Sequence, residues 1–244
     1  YFKGQRIGAG TRSYKDAIKQ AKKDLEDQKI TKEEKDEVIN NAISKWKFLK
    51  PAKRESMEMA AGYYLAAKAI SDERGYGAIS LKDVDGMKKL CGFPPAPIFM
   101  LLSEDGYTTV PENDSLGAVT QLMMNRLTGQ LAGYLEFYEF FDNSVLAGVP
   151  DFVAADMVDG DTYTVLPAAF GMLSQGILNV SKVKTGTLTM SRLVYADGKY
   201  TMQVILGNGK TPPENKPADL KIHGTDASLD PQLVIWQKIG HKIT

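Results

Sequence analysis

Residues 54–81 read RESMEMAAGYYLAAKAISDERGYGAISL, and this stretch determines the fold class. Small and apolar side chains recur at helical spacing from Arg54 to Arg74, which predicts one long helix with a broad buried face. Gly75-Tyr76-Gly77 ends that helix, and residues 78–81, Ala-Ile-Ser-Leu, predict a short buried strand. A helix that leads directly into a strand is typical of an α/β layer.

The residues before this stretch predict a strand and two further helices. Residues 4–10 indicate a short strand that ends in a glycine turn. Residues 13–27 have helical spacing, with Ser13 and Asp16 as a loose capping box. Thr31 and Glu34 form a second capping box, which predicts a helix that continues to about Trp46.

The residues after it continue the alternation of helices and strands. Residues 94–97, Pro-Pro-Ala-Pro, interrupt the chain, and the apolar run at 98–102 predicts another strand. Residues 107–110 are β-rich, and residues 115–127 return to helical spacing. The first 130 residues therefore predict an α/β domain with a mostly parallel sheet and flanking helices.

The remainder of the chain predicts an antiparallel, barrel-like β domain. After a short helix near 168–175, two β-rich segments flank Ala196-Asp197-Gly198-Lys199, a strong hairpin signal. Gly207-Asn208-Gly209 and Pro212-Pro213 predict further turns. We therefore expect two domains, residues 1–130 and 131–244, with the boundary between 130 and 145.

The composition of the 244 residues argues against several classes of protein. Lys+Arg and Asp+Glu both total 30, so the formal net charge is zero, which favours a small neutral substrate over a nucleic acid. The single cysteine, Cys91, has no intrachain disulfide partner, and no apolar run reaches the ~20 residues that span a bilayer. We expect a cytoplasmic protein with no membrane partner. Because the chain starts at Tyr1 rather than methionine, we also expect a fragment.

The segment around Glu112 is the first candidate site. A β-rich stretch leads into Pro111-Glu112-Asn113-Asp114, and a helix follows at once. Asp114 or Ser115 is suited to cap that helix. Glu112 lies just outside the helix, at the carboxyl end of a strand, which is where ligands bind in open α/β sheets. The alternative interpretation of Glu112 is a solvated acid in a loop.

A second acidic cluster follows at residues 136–142, Glu-Phe-Tyr-Glu-Phe-Phe-Asp. If the segment is a strand, Glu136, Tyr138 and Phe140 share one face, and Phe137, Glu139 and Phe141 share the other. Two carboxylates that converge from separate segments would make an oxygen-rich site for Mn²⁺ or Mg²⁺. Surface acids beside a core strand are the alternative.

Other common sites have no sequence support. Only two histidines, His223 and His241, are present, and there is no Gly-x-Ser-x-Gly nucleophile elbow. No HExxH or CxxC pair occurs, so a zinc site of familiar spacing is not expected. Residues 207–211, GNGKT, lack the first glycine of a phosphate loop and lie among β-formers, so they predict a turn.

Several segments of the chain are similar to one enzyme family. They are Lys53-Arg54-Glu55-Ser56, residues 75–82, the Pro111–Asp114 block with Gly117-Ala118-Val119-Thr120, Leu127-Thr128-Gly129, and residues 186–193. In this order they resemble the middle and C-terminal domains of L-fucose isomerase-like proteins, within the L-fucose/L-arabinose isomerase superfamily. The resemblance extends from about Arg6 to the end of the chain.

The resemblance implies a metal-dependent aldose–ketose isomerase, usually supported by Mn²⁺, that acts on a sugar through an ene-diol and works as a homo-oligomer. By the same resemblance, Glu112 is a metal ligand and acid/base catalyst, Glu136 is the second catalytic acid and ligand, and His241 is the third ligand. Glu139 and His223 are the alternatives to Glu136 and His241. Members of the family also carry an N-terminal α/β domain, so by the resemblance we expect this chain to be a fragment without that domain.

A different function remains open at this stage. A non-catalytic sugar-binding or assembly protein could retain the same fold, and a related epimerase or lyase would use the same residues. Convergence of Glu112, Glu136 and one histidine would favour an enzyme.

Overall fold

The structure is a computed structural model that describes residues 23, 27, 30–148, 152–168, 176–211, 221–222, 225–226 and 232–237. The strand predicted at 4–10 and the Pro212-Pro213 turn lie outside the described residues. So do His223, His241 and most of the helices predicted at 13–27 and 168–175. Of residues 13–27, the structure describes Lys23 and Asp27, and both are helical.

Helices make up much of the first half of the chain. Four α-helices are described: α1, Lys32–Asn41; α2, Arg54–Arg74; α3, Ala96–Glu104; and α4, Ser115–Thr128. Short 3₁₀ turns occur at Ile43–Lys45 and Ala155–Met157, and a π-helix spans Asp83–Cys91. Within the described segments, no helix is long and apolar enough to cross a membrane.

The capping box that begins α1 is confirmed, but the helix ends earlier than predicted. Thr31 Oγ1 accepts the Glu34 N–H at 3.2 Å, and the Thr31 N–H donates to Glu34 Oε2 at 2.7 Å. The helix stops at Asn41 rather than near Trp46. The Ser44 hydroxyl donates to the Asn40 carbonyl at 2.7 Å, and it thus competes for the acceptor that the next helical turn would need.

Helix α2 has the bounds that the sequence predicts. Its C-cap, Gly75, adopts a left-handed backbone with φ of 64°, which glycine adopts without a steric penalty. The Tyr76 N–H closes the end of the helix by donating to Ser71 O at 2.9 Å.

The strand predicted at 98–102 is wrong, since these residues lie in α3. All residues from Ala96 to Ser103 are buried, so the helix is apolar on every side and has no polar face to reveal its period. Pro97 fits in the first turn, where its missing N–H would have had no partner. Burial on all sides therefore made a short helix look like a strand.

Twelve strands are described, of which all but β8 and β9 are short, and they form several small sheets. They are β1, Lys47–Phe48; β2, Ala78–Ser80; β3, Thr108–Val110; β4, Glu136–Phe140; β5, Ser144–Gly148; β6, Thr164–Leu166; β7, Leu178–Asn179; β8, Gly186–Ala196; β9, Lys199–Lys210; β10, Lys221–Ile222; β11, Thr225–Asp226; and β12, Gln232–Gln237. Parallel pairing occurs between β2 and β3 and between β1 and β6. Helices and strands are mixed, which is compatible with the predicted α/β class, but in the described residues the parallel pairs belong to separate small sheets rather than to one large sheet.

The antiparallel sheet of the second half has the strand order β4-β5-β12-β9-β8. The predicted hairpin is confirmed, because β8 pairs with β9 across the two-residue turn Asp197-Gly198, where φ is 50° and 74°. The turn predicted at Gly207–Gly209 is wrong. These residues lie inside β9 and pair with β8 on one side and β12 on the other. As far as the chain is described, β4 and β8 remain edges and the sheet does not close into the expected barrel.

One buried cluster draws on both sides of the predicted domain boundary. Phe99 of α3 stacks on Phe152 with ring centroids 5.0 Å apart, and Trp46 meets Tyr163 edge-on at 5.8 Å. β1 also pairs with β6, which lies far along the chain. Residues from the two predicted domains therefore share part of their core.

Glu104 provides a pH-dependent test of this packing. It accepts the Trp46 Nε1–H at 2.8 Å, and burial raises the pKa of its carboxyl despite that hydrogen bond. A raised carboxyl pKa contributes stability at low pH that is lost as the pH rises through the folded-state pKa. Glu104→Gln keeps an acceptor for Trp46 and removes the charge. Because Glu104 is partly exposed and solvent screens its charge, we expect the variant to melt only about 1 °C higher than wild type at pH 7.

Thermal melts between pH 4 and pH 8 measure this difference, which should vanish near the acidic end. Glu37→Gln, at an exposed position of α1, is the matched control and should show no such trend. A Glu104→Gln protein that is less stable than wild type at pH 7 would contradict the prediction.

Candidate functional site

The carboxyl ends of β2 and β3 lie side by side and carry the Glu112 turn. The Asn113 N–H donates to Leu81 O at 3.2 Å, and the Ser80 hydroxyl donates to Pro111 O at 3.4 Å. These bonds attach the turn after β3 to the chain that leaves β2. Glu112 itself is exposed at this edge, where α/β sheets bind ligands.

Glu112 and Asn113 both have a left-handed backbone, with φ of 66° and 57°. The Asp114 N–H closes the four-residue turn on Pro111 O at 3.5 Å. Two consecutive positive φ values normally favour glycine or asparagine, and a glutamate there costs on the order of 1–2 kcal/mol. Strained backbone of this kind is concentrated at functional sites, so the turn is a candidate for chemistry.

Asp114 caps α4 and is also the centre of an ionic cluster. Its Oδ1 accepts the Gly117 N–H at 2.9 Å, which decides between Asp114 and Ser115 as the cap. Arg192 donates to both carboxylate oxygens, with Nη2 3.1 Å from Oδ1, and the Tyr134 hydroxyl donates to Oδ2 at 3.3 Å. Burial acts to raise the pKa of Asp114, but these donors hold it below its usual value.

Arg192 reaches this cluster from β8, which lies against α4. The Leu193 N–H donates to Thr120 Oγ1 at 2.9 Å, so α4 covers this part of the strand edge. Leu188 and Met190 lie on the same face of β8 as Arg192 and pack on the core. A charged residue on a strand face that otherwise carries core-packed apolar side chains needs a partner of opposite charge. That pattern could have identified Arg192 from the sequence.

Two amide side chains of α4 hold the loop that leads to β4. Gln121 Nε2 donates to Ala132 O, and the Ala132 N–H donates to Asn125 Oδ1 at 2.6 Å. Asn125 also donates to Thr108 Oγ1 of β3 at 2.9 Å. The loop is thereby fixed along α4, which allows Tyr134 to contact Asp114.

β4 carries Glu136, but its faces differ from the prediction. The register with β5 shifts between Phe137 and Glu139, so Tyr138 is an extra, bulged residue. Phe137 and Phe140 consequently lie on the same side, with ring centroids 5.7 Å apart. The predicted alternation, in which Phe140 shares a face with Glu136 and Tyr138, is therefore wrong.

Tyr134 connects the two acidic segments. It bonds to Asp114, two residues after Glu112, and it lies two residues before Glu136. Burial raises the pKa of the Tyr134 hydroxyl, and the charges of Asp114 and Glu136 raise it further. The structure thus brings the turn of Glu112 and the beginning of β4 together around one protonated hydroxyl.

The predicted metal ligands are described only in part. Glu112 is exposed, and Glu136 and Glu139 are half-buried. Carboxylate oxygens are suitable donors for Mn²⁺ or Mg²⁺, so the chemistry of this donor set fits a hard divalent cation. Neither His241 nor His223 belongs to the described residues. Within those residues, no three His, Cys, Asp or Glu side chains are grouped so as to hold a metal ion.

An open groove of about 550 Å³ lies at the opposite end of β3. Its lining includes Tyr76, Tyr107, Arg126 and Asp156. It is formed at the amino end of β3 and the carboxyl end of α4, and neither Glu112 nor Asp114 lines it. We take the Glu112 turn as the candidate site because it combines strained backbone with a contact, from Tyr134 to Asp114, that links it to the segment before Glu136.

Comparisons with known proteins add no assignment: no protein-family model matches the chain, and no curated protein matches it.

Proposed function

We propose that this chain carries the acidic part of the active site of a metal-dependent aldose–ketose isomerase that acts on fucose- or arabinose-type sugars. The observation that carries the proposal is the strained position of Glu112 at the carboxyl edge of β3, in a turn whose next residue, Asp114, is bonded to Tyr134 of the segment that leads to Glu136. The resemblance to L-fucose isomerase-like proteins supports the same reaction.

Aldose–ketose isomerisation moves a proton between two neighbouring carbons through an ene-diol. Glu112 is the base that takes the proton and returns it, and its exposed carboxylate at the rim of the turn can reach a bound sugar. Glu136 is the second acid, which exchanges the proton of the substrate hydroxyl. Tyr134 stays protonated and donates its one hydroxyl hydrogen to Asp114, which holds the segment of Glu136 beside the Glu112 turn.

A bound Mn²⁺ or Mg²⁺ would supply Lewis-acid polarisation of the sugar oxygens, with Glu112, Glu136 and His241 as its ligands. The ion pair between Asp114 and Arg192 balances the charges beside the site, which suits a neutral substrate. A cytoplasmic homo-oligomer is part of the same proposal.

Calorimetric titration with Mn²⁺ tests the proposal. Wild type should bind Mn²⁺ with micromolar affinity, and Glu112→Gln should weaken that binding at least tenfold because it removes an anionic ligand while keeping a similar shape. Glu37→Gln, at an exposed position on α1, is the control and should bind like wild type. Conversion of fucose or arabinose to the ketose is then assayed with the same proteins.

Absence of Mn²⁺ binding by wild type, or binding that does not depend on Glu112, would contradict the catalytic assignment. Sugar binding without conversion would instead support the non-catalytic alternative.

A further inference from the structure

The left-handed conformation of the Glu112 turn is supported by hydrogen bonds from its own backbone. Two consecutive left-handed residues need support from outside the turn. The Asn113 N–H donates to Leu81 O at 3.2 Å, and the Asp114 N–H donates to Pro111 O at 3.5 Å. The more extensive contacts are made by the side chain of Asp114, the residue that directly follows the turn.

The contacts of Asp114 exceed what a helix cap requires. Capping uses one acceptor oxygen, and serine, threonine or asparagine could provide it. Here Oδ1 accepts from Gly117 and Arg192, while Oδ2 accepts from Arg192 and Tyr134. The paired donation by a planar guanidinium defines the orientation of the carboxylate as well as its location.

Gly117 gives an independent indication that space is reserved for this ion pair. A Cβ at Gly117 would lie 2.5 Å from Asp114 Oδ2 and 3.0 Å from Arg192 Nη1. Any larger residue at position 117 would therefore displace the pair. The glycine, the aspartate and the arginine form one sterically matched unit.

Arg192 is itself fixed by its strand. β8 pairs with β9 along its whole length, with Arg192 opposite Gln203, and the next residue, Leu193, is bonded to Thr120 of α4. The guanidinium is thus anchored in the antiparallel sheet, 78 positions along the chain from Asp114.

We infer that Arg192 is a positioning residue, which acts through Asp114 to hold the Glu112 turn in its left-handed conformation. The positioning role itself does not depend on the proposed function; only its expected effect on metal binding rests on that function. In consequence, the conformation of the Glu112 turn, which belongs to the α/β half of the chain, depends on a residue of the antiparallel sheet. Tyr134 completes the cluster and aligns the segment of Glu136 with the same carboxylate.

Amide hydrogen exchange measures this role without any assay of activity. Arg192→Met should raise the exchange rates of the Asn113 and Gly117 amides at least tenfold, because the carboxylate that orders them loses its partner. Arg192→Lys should give an intermediate rate, since it keeps the charge but not the paired donation. Amides of α3 should exchange as in wild type, which excludes global unfolding.

Arg126→Met is the matched control, because Arg126 is an exposed arginine at the far end of α4. In the Arg126→Met variant, the amides of Asn113 and Gly117 should exchange as in wild type. Equal rates in Arg192→Met and Arg126→Met would overturn the inference. If Arg192→Met does not fold, Asp114→Asn retains a cap oxygen and removes the charge; unchanged Asn113 exchange in that variant would also overturn it.

Mn²⁺ titration of the same variants separates this inference from the proposed function. If both hold, the dissociation constant rises about tenfold in Arg192→Met, and Arg192→Lys restores part of the affinity. Faster exchange in a protein whose wild type binds no Mn²⁺ would support positioning and reject the isomerase. Mn²⁺ binding with unchanged exchange would reject positioning and leave the isomerase.

Discussion

Replacement of Phe152 by alanine is expected to lower the free energy of unfolding by about 3–5 kcal/mol, the usual range for a fully buried phenylalanine. Phe152 has no exposed surface, and its ring stacks on Phe99 at a centroid distance of 5.0 Å. The truncation would remove that contact and leave a cavity that the helix α3 cannot fill. Equilibrium urea denaturation measures the loss.

Phe140→Ala is the control for this variant, because the Phe140 ring is 64% exposed and its removal should cost less than about 1 kcal/mol. The same denaturation experiment also tests whether the chain unfolds as two domains divided at residue 130. Since Phe99 and Phe152 lie on opposite sides of that division, we expect a single unfolding transition. Two separate transitions, or a Phe152→Ala cost near that of Phe140→Ala, would contradict the shared core.

Glu112→Gly is expected to make the protein more stable while it abolishes Mn²⁺ binding. Glycine adopts the observed φ of 66° without the penalty of ~1–2 kcal/mol that a side chain incurs there. The greater freedom of glycine in the unfolded chain offsets ~0.4–1 kcal/mol of this gain. The net increase in the free energy of unfolding should therefore be roughly 0.5–1 kcal/mol, measured by denaturation beside the Mn²⁺ titration.

Asp197→Gly is the matched control, since Asp197 also has a positive φ, of 50°, in the hairpin turn between β8 and β9. It should gain a similar stability and retain Mn²⁺ binding. If Glu112→Gly binds Mn²⁺ like wild type, or is less stable than wild type, the strained turn is not a site where stability is traded for function.

Elements that depend on local chemistry could be predicted from the sequence. The Thr31–Glu34 capping box, the glycine stop after α2 and the Asp197-Gly198 turn each need only a few adjacent residues, and each is confirmed. The failures involve neighbours that the sequence does not reveal. Burial on every side hid the helix at Ala96–Glu104, and pairing with strands on both sides places Gly207–Gly209 in a sheet rather than in a turn.

The residues of the candidate site also divide into those that local sequence could predict and those that depend on distant neighbours. Glu112 could be placed at the carboxyl end of β3 because strand, turn and helix follow one another within about ten residues. Arg192 and Tyr134 were missed because they lie 78 and 20 positions from Asp114. The bulge at Tyr138 is also set by pairing with β5, so the faces of β4 could not be predicted from alternation alone.

The pairing of β1 with β6 has a consequence for synthesis on the ribosome. The Thr162 hydroxyl donates to Lys45 O across 117 positions, so the early helices emerge long before the strand that covers them. At typical translation speeds of about 5–20 residues per second, this interval lasts on the order of ten seconds. Trp46 lacks its partner Tyr163 throughout that time, and Phe99 lacks Phe152 for about half of it, so the nascent chain presents an uncovered aromatic surface to chaperones.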